Sequence, residues 1–335
     1  MRKKIILSFD YELFFGDRSG SIKNTLINPT RMLLDSMDDI GAKGSFFVDY
    51  LMLKRMLAEC EETKAEAAII IEQLQEIVSR GHRIELHLHP HWWDAKNIKG
   101  RWDFSDYSRY RLCSFSEPDI TRMFEEGTNF LEDVARKVVK AYKVIAFRAG
   151  GWAVFPFDLL KKGFEKSGIK VDSSIMRGSL IRTPYYELDF RNTPNYDIYR
   201  FSDNVMAVDD KGCFKEVPIS SLQFNCFTFF MTNVYFKAHK AQLKHLTDGT
   251  HYRSSDPPME SRALSLWELA HRHRPYSLDG VVSPFVLNWM IRESKRKLIV
   301  FISHPKDIMP ISCKNILGMK GKGYEFCTYM DIAKE

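Results

Sequence analysis

Three of the ten histidines fall within five residues, in the stretch Gly81-His82-Arg83-Ile84-Glu85-Leu86-His87-Leu88-His89-Pro90-His91-Trp92-Trp93. Extended backbone over Arg83 to His89 puts alternate side chains on one face. His87 and His89 then point the same way until Pro90 ends the ladder, and His91 sits on the loop beyond. Imidazoles so spaced at a strand end make half of a metal site, because a divalent ion needs two or three converging ligands and an open position. The plainer alternative is a hydrogen-bonded histidine cluster, and a carboxylate elsewhere in the chain decides between the two. Asp10-Tyr11-Glu12 offers a pair. Two carboxylates two residues apart at a strand end can face one side, one binding a cation while the other keeps a lone pair for proton transfer.

The elements around these residues alternate. An apolar run at Ile5 to Phe9 reads as a buried parallel strand ending on Asp10, followed by a helix from Asn28-Pro29 to Ile40, a strand at Gly44 to Val48 and helices at Leu51 to Leu57 and Glu62 to Ser79. After the histidine strand, an aromatic loop spans Asp94 to Phe115 with Trp102, Tyr107 and Tyr110, and Ser116-Glu117-Pro118 caps a helix reaching Tyr142. Val144 to Phe147 ends in Arg148, Ile169 to Val171 ends in Asp172, and Leu298 to Ile302 ends in Ser303-His304-Pro305. Polar groups that each follow a strand gather on one rim of a closed or nearly closed sheet. Between Asp172 and the last strand, a hairpin is predicted from Val205 to Ile219, a helix in the later half of Leu222 to Leu246, a polar loop from Thr247 to Ser261, and a helix after Ser283-Pro284. The fold class expected is α/β, a single domain over 1–335, with an insertion at about 179–290 before the last strand.

With 335 residues, 44% of them hydrophobic, the chain can bury a large core. A net charge of +6 without a basic stripe gives no expectation of nucleic acid. The six cysteines have no paired metal-type spacing, which fits reduced thiols in a cytosolic protein. Met1 to Leu7 is too short for an export segment, and nothing reaches the length of a membrane span.

In order and local wording the sequence resembles the polysaccharide deacetylase family, the NodB-homology fold of carbohydrate esterase family four. Ser8-Phe9-Asp10-Tyr11-Glu12 looks like its Thr-Phe-Asp-Asp motif. Gly81 to Leu86 followed by His87 to His91 is similar to its Gly-His-Glu-Ile-Gly-Asn-His-Ser/Thr-x-x-His-Pro motif. Arg148-Ala149-Gly150-Gly151-Trp152, Asp172-Ser173-Ser174 and Ile302-Ser303-His304 resemble the third, fourth and fifth. The wording Phe-Asp-Tyr-Glu-Leu-Phe-Phe-Gly with His-Leu-His-Pro-His-Trp further resembles a divergent WbmS-like subgroup of surface-polysaccharide gene clusters. Departures are Tyr11 at the usual second Asp, His89 at a position that does not ligate, and no proline in the third motif.

The resemblance implies a distorted seven-stranded (β/α) barrel and a metal-dependent hydrolase that removes an N-acetyl or related acyl group from an amino sugar in surface-polysaccharide metabolism. It implies Glu12, His87 and His91 as metal ligands, with His89 open to either metal or substrate. Asp10 would be the base that takes a proton from water, Arg148 its partner, His304 the acid toward the leaving nitrogen, and Asp172 the group orienting His304. Zinc suits two imidazoles and a carboxylate, and nickel, cobalt, manganese or iron accept the same set. Trp92 and Trp152, with His89, are the residues expected against the sugar. The alternatives are hydrolysis of another small amide or cyclic imide on the same fold, or a catalytically silent glycan-binding protein.

Overall fold

In a computed structural model of the chain, every residue is described except 1, 16–17, 99, 105–108, 183–185, 224, 251–272 and 280–282. Tyr107 and the loop expected over 247–261, from 251 on, therefore lie outside the described residues.

The strands of the main sheet are β1 (Lys4–Tyr11), β2 (Gly44–Asp49), β3 (Arg83–Leu88), β4 (Ala146–Ala149), β5 (Val171–Asp172), β6 (Tyr199–Phe201), β7 (Phe214–Glu216), β8 (Leu298–Ser303) and β9 (Glu325–Phe326). Their order is β6-β7-β5-β4-β3-β2-β1-β8, with β9 also on β1. Among the described residues of this sheet, only β6 runs antiparallel to its neighbour. The result is a curled, half-barrel parallel sheet. It departs from the expected seven-stranded barrel because two short strands, β6 and β9, add to it. The insertion expected over 179–290 is also only partly outside the sheet, since β6 and β7 belong to it. The hairpin expected at Val205 to Ile219 has its first strand earlier, at β6, where Tyr199 lies opposite Glu216 and Phe201 opposite Phe214.

The helices are α1 (Asn28–Asp39), α2 (Tyr50–Glu59), α3 (Glu61–Ser79), α4 (Glu117–Arg136), α5 (Asp158–Ser167), α6 (Cys226–Ala238), α7 (Pro284–Glu293), α8 (Pro310–Leu317) and α9 (Tyr329–Lys334). The capping signals act as read: the Ser116 hydroxyl accepts from the Asp119 amide and the Ser283 hydroxyl from the Val286 amide. Helix α6 starts in the earlier half of the stretch Leu222 to Leu246, ahead of the later half in which a helix was expected, and runs into that later half. Asn225, whose side chain accepts from the Thr228 amide, starts it there.

Period two in the strands sorts the core from the site. Ile6, Phe47, Ala146, Val171 and Val300 line the inside of the curled sheet toward the amino ends of their strands, under Tyr329 and Ile332 of α9. Two residues further along the same faces, apolar gives way to polar: Ile6 to Ser8, then Asp10 and Glu12; Phe47 to Asp49; Ala146 to Arg148. Ile5, Leu7 and Phe9 point the other way and pack against the helical layer. Burial on both faces is why β1 reads as an unbroken apolar run up to Asp10.

Candidate active site

Asp10 and Glu12 leave the end of β1 on one face and are both buried, while Tyr11 between them turns away and donates its hydroxyl to Gln73 Oε1 at 2.8 Å. His87 is the partner of Arg148 in the parallel register of β3 and β4. Arg148 therefore crosses the inside of the sheet toward β1. Its Nη1 donates to Asp10 Oδ1 at 2.6 Å, its Nη2 to Ser8 Oγ at 2.8 Å and Tyr329 Oη at 3.1 Å, and its Nε to the Ser173 carbonyl at 2.9 Å. The guanidinium also lies 4.1 Å over the Phe47 ring. A cation held on this many sides is a fixed counter-charge for Asp10. Burial alone would raise the Asp10 carboxyl, but Arg148, His87 and His304 together hold it below its ordinary value.

Glu12 is the hub. Its Oε2 lies 2.6 Å from His89 Nε2 and 3.2 Å from His87 Nε2, and its Oε1 accepts from Lys306 Nζ at 2.6 Å. Burial would raise this carboxyl, yet His89, Lys306 and His87 keep it well below the usual carboxylate range. The ligand atoms of Glu12, His87 and His89 all lie within 4.8 Å of one another. His87 Nδ1 donates to the Arg148 carbonyl at 2.7 Å, which turns Nε2 toward Glu12. A carbonyl that fixes the tautomer of a ligating histidine is the outer-shell arrangement metal sites use, and one carboxylate with two imidazoles is a zinc-type donor set. The residues present fit a divalent ion.

The group that could hold an ion differs from the expected ligand set in one member. His91 is in a short 3-10 turn, Pro90–Trp93, that starts where β3 stops. The turn carries its ring against Tyr110, stacked at 5.7 Å, and against Phe15, edge-on at 4.2 Å. His89, still in phase with His87, takes the place beside Glu12. Gly150 makes room for it, since a Cβ there would come within 2.6 Å of His89 Nδ1 and of the Leu88 carbonyl.

His304 follows β8, with Nε2 at 3.6 Å from Asp10 Oδ2 and 3.8 Å from Glu12 Oε1. Its side chain keeps 23% exposure where Asp10 and Glu12 keep 6% and 4%, so it is the member of the group that solvent reaches first. Burial pulls its imidazole below the ordinary value against the opposing pull of Asp10 and Asp307.

Asp172 does not meet His304. It accepts from the Ser174 amide at 3.1 Å and hydroxyl at 2.8 Å, and its neighbour is Glu216, its register partner on β7. Besides Asp10 and Glu12, the acids beside His304 are Asp307, 3.6 Å from Nδ1, and Asp279, whose Oδ2 accepts the His304 amide at 3.2 Å. Parallel strands β5 and β7 bring Asp172 and Glu216 together, and no strand register links β5 to β8.

Asp172 and Glu216 are both fully buried side by side, with the Ile175 amide as the backbone donor toward Glu216. Burial first, and the charge of the partner second, push Glu216 well above its ordinary value. In the unfolded chain Glu216 ionises at its ordinary value. Stability is therefore fully present below that value and erodes as pH rises through it toward the raised folded one. Glu216→Gln is expected to raise stability at pH 8 by roughly 1–3 kcal/mol, the usual size of a buried group's desolvation penalty, and to change nothing at pH 4. Urea unfolding at the two pH values measures this, and an equal effect at both would show that charge is not the cause.

Trp92 is fully buried, edge-on to Trp102 at 5.0 Å and to Phe104 at 4.8 Å, so it belongs to the core and not to a sugar platform. Trp152 is half-buried, holds φ of 60° without being glycine, and lines a cavity of about 590 Å³ with Arg182, Arg191, His273 and Arg274.

Sequence reasoning missed Lys306 and Asp49. Lys306 is 2% exposed and also donates to the Leu13 carbonyl, with the Phe15 ring 4.4 Å from its Nζ. A lysine in a loop gives no burial signal, although its place two residues after His304 was a pointer. Asp49 ends β2 on the same face, accepts the His89 amide at 3.2 Å, and is pushed by burial up to about 7, against the pull of His87. Its position after a strand was the same signal used for Asp10.

No family profile matches the sequence, and no curated protein matches it. Solved structures do. The chain is similar over 100% of its length to 40% of the 4-alpha-glucanotransferase from Thermococcus litoralis, with a TM-score of 0.50 and 10% identity. That likeness is one of fold. The chain also aligns with 90% of a protein of Mycobacterium smegmatis assigned to the polysaccharide deacetylases (all of this chain, TM-score 0.47, 14% identity). A third match is 91% of a family 4 acetyl xylan esterase from Clostridium thermocellum in complex with a cobalt ion (99% of this chain, TM-score 0.37, 12% identity). Among the described residues, no helix is long and apolar enough to cross a membrane.

Proposed function

We propose that the chain is a metal-dependent N-deacetylase of an acetamido sugar, a divergent member of the polysaccharide deacetylase family acting in surface-polysaccharide metabolism. One observation carries this reading: Asp10 with its Arg148 counter-ion, the Glu12, His87 and His89 donor group, and His304 converge within hydrogen-bonding or ion-pair reach on the carboxyl rim of one sheet.

Glu12, His87 and His89 hold the divalent ion, zinc by donor type, which when bound supplies Lewis acidity toward the acyl carbonyl and acidifies water. The protein's residues do the rest. Asp10, aimed by Arg148 and shielded from solvent, takes the proton of the attacking water. His304 faces the same carboxylate at 3.6 Å and the solvent on its other side. Its imidazole passes that proton to the departing nitrogen, so one proton is taken and one returned. Lys306 keeps the Glu12 carboxylate oriented from the oxygen that does not face His87 and His89.

Elemental analysis of protein dialysed against zinc, for the parent, His87→Ala, His89→Ala and His91→Ala, tests the ligand set. About one equivalent is expected in the parent and in His91→Ala, with at least a tenfold weaker hold in the other two. Retention by His89→Ala with loss from His91→Ala would restore the ligand set expected from the resemblance. Occupancy unchanged in all three would remove the metal reading.

A further inference from the structure

We propose that the face formed by α6 and α7 docks on an anionic lipid surface. Helix α6 turns Thr228 and Thr232 inward, where they are buried, with Phe229 and Met231 packed on the core. Its outward stripe at three- and four-residue spacing is Phe227, Phe230 and Val234, with 64%, 62% and 46% of their surface exposed. Helix α7 repeats the pattern: Val286, Leu287, Met290 and Ile291 are buried, while Phe285 is 77% and Trp289 37% exposed. The Phe227 and Trp289 rings meet at 6.5 Å, which makes the two stripes one patch. A soluble helix places polar residues at such positions, and a contiguous patch of large apolar side chains marks a docking surface.

The charges identify the occupant. Each stripe ends, one turn further along the same face, in an exposed basic residue: Val234 is followed by Lys237 and Trp289 by Arg292. From Cys226 to Thr247 there is no Asp or Glu, and Lys240 and Lys244 follow Lys237. After Arg292 come Glu293 and then the exposed Lys295 and Lys297. Aromatic side chains at the depth of the acyl boundary, with basic side chains reaching back from the same stripe to the headgroups, is the arrangement of an interfacial helix. A protein partner would need acidic groups ringing an apolar socket, whereas an anionic leaflet supplies both chemistries over an area of any size.

The chain that follows α6 reaches the site. Beyond α6, the Leu246 amide donates to the Ile308 carbonyl at 3.1 Å and the Thr247 hydroxyl to the Lys306 carbonyl at 2.7 Å, tying this segment to the loop that carries His304 and Lys306. On the function proposed above, and resting on it, the acetamido sugar then reaches the site from a lipid carrier held at that surface.

Cosedimentation with vesicles tests the docking without reference to turnover. Binding is expected to vesicles of phosphatidylcholine with about 30% phosphatidylglycerol, weaker binding to phosphatidylcholine alone, and release by salt. Phe227→Ser with Phe285→Ser should weaken it at least about tenfold, and Lys237→Gln with Arg292→Gln should remove the preference for phosphatidylglycerol. All four positions are exposed, so the thermal midpoint serves as the check that folding is intact. Absence of binding, or binding that survives the Phe changes, overturns the proposal. A solution dimer that Phe227→Ser dissociates would overturn it in favour of a second copy as the occupant.

Discussion

Asp10→Asn is expected to lower acetate release by about a hundredfold to ten-thousandfold while the protein keeps its fold and its zinc. The amide can still accept from Arg148, which donates to Asp10 Oδ1 at 2.6 Å, so the fixed guanidinium is not stranded. What disappears is the basic oxygen that faces His304 at 3.6 Å, since an amide cannot take a proton from water. Asp10 is not one of the three residues whose ligand atoms group around Glu12, so metal content should be unchanged. Acetate release from N-acetylglucosamine oligomers, with zinc measured on the same samples, decides it. Turnover within a few-fold of the parent would mean that the base is another group. Asp49, which also reaches this face and is pushed up to about 7, is the first to examine.

The largest effect on stability is expected at Arg148→Met, a loss of about 3–5 kcal/mol in urea unfolding. Arg148 is fully buried and Asp10 nearly so. Removing the guanidinium leaves a carboxylate in the interior without its counter-charge and takes the donor away from the Ser173 carbonyl, while the Ser8 and Tyr329 hydroxyls keep the Phe301 carbonyl and the Ser173 hydroxyl as partners. The apolar replacement keeps much of the contact with Phe47, so the loss is electrostatic and not a matter of volume. The double change Asp10→Asn with Arg148→Met should recover a substantial part of the loss, because the stranded charge is then gone. Additive losses in that cycle would show that Arg148 acts mainly through its other partners and that the Asp10 pair is incidental.

Much of the scaffold could be read along the chain, because parallel strands buried on both faces leave apolar runs that stop where the site begins. The runs ending at Asp10, at the histidines, at Arg148 and at His304 mark strand ends that lie on the same rim. Less legible were the short strands Tyr199–Phe201 and Glu325–Phe326. Two or three residues give no periodicity to detect, and their pairing is fixed by partners far away in sequence. The start of α6 was misplaced because the apolar residues on both its faces conceal the helical period.

Period two was enough, from the sequence by itself, to put Asp10 and Glu12 on one face of their strand and His87 and His89 on one face of theirs, since alternation along a strand is local geometry. Only the tertiary structure decided that His89 and not His91 stands beside Glu12. Proline ends the strand, and the turn after it rotates the next imidazole into an aromatic wall. Only the tertiary structure, too, gave Asp172 to Glu216, left Asp279 and Asp307 beside His304, and buried Lys306 against Glu12. Those partners are set by the register of strands distant in the chain and by a loop folding back across the rim, neither of which leaves a local trace.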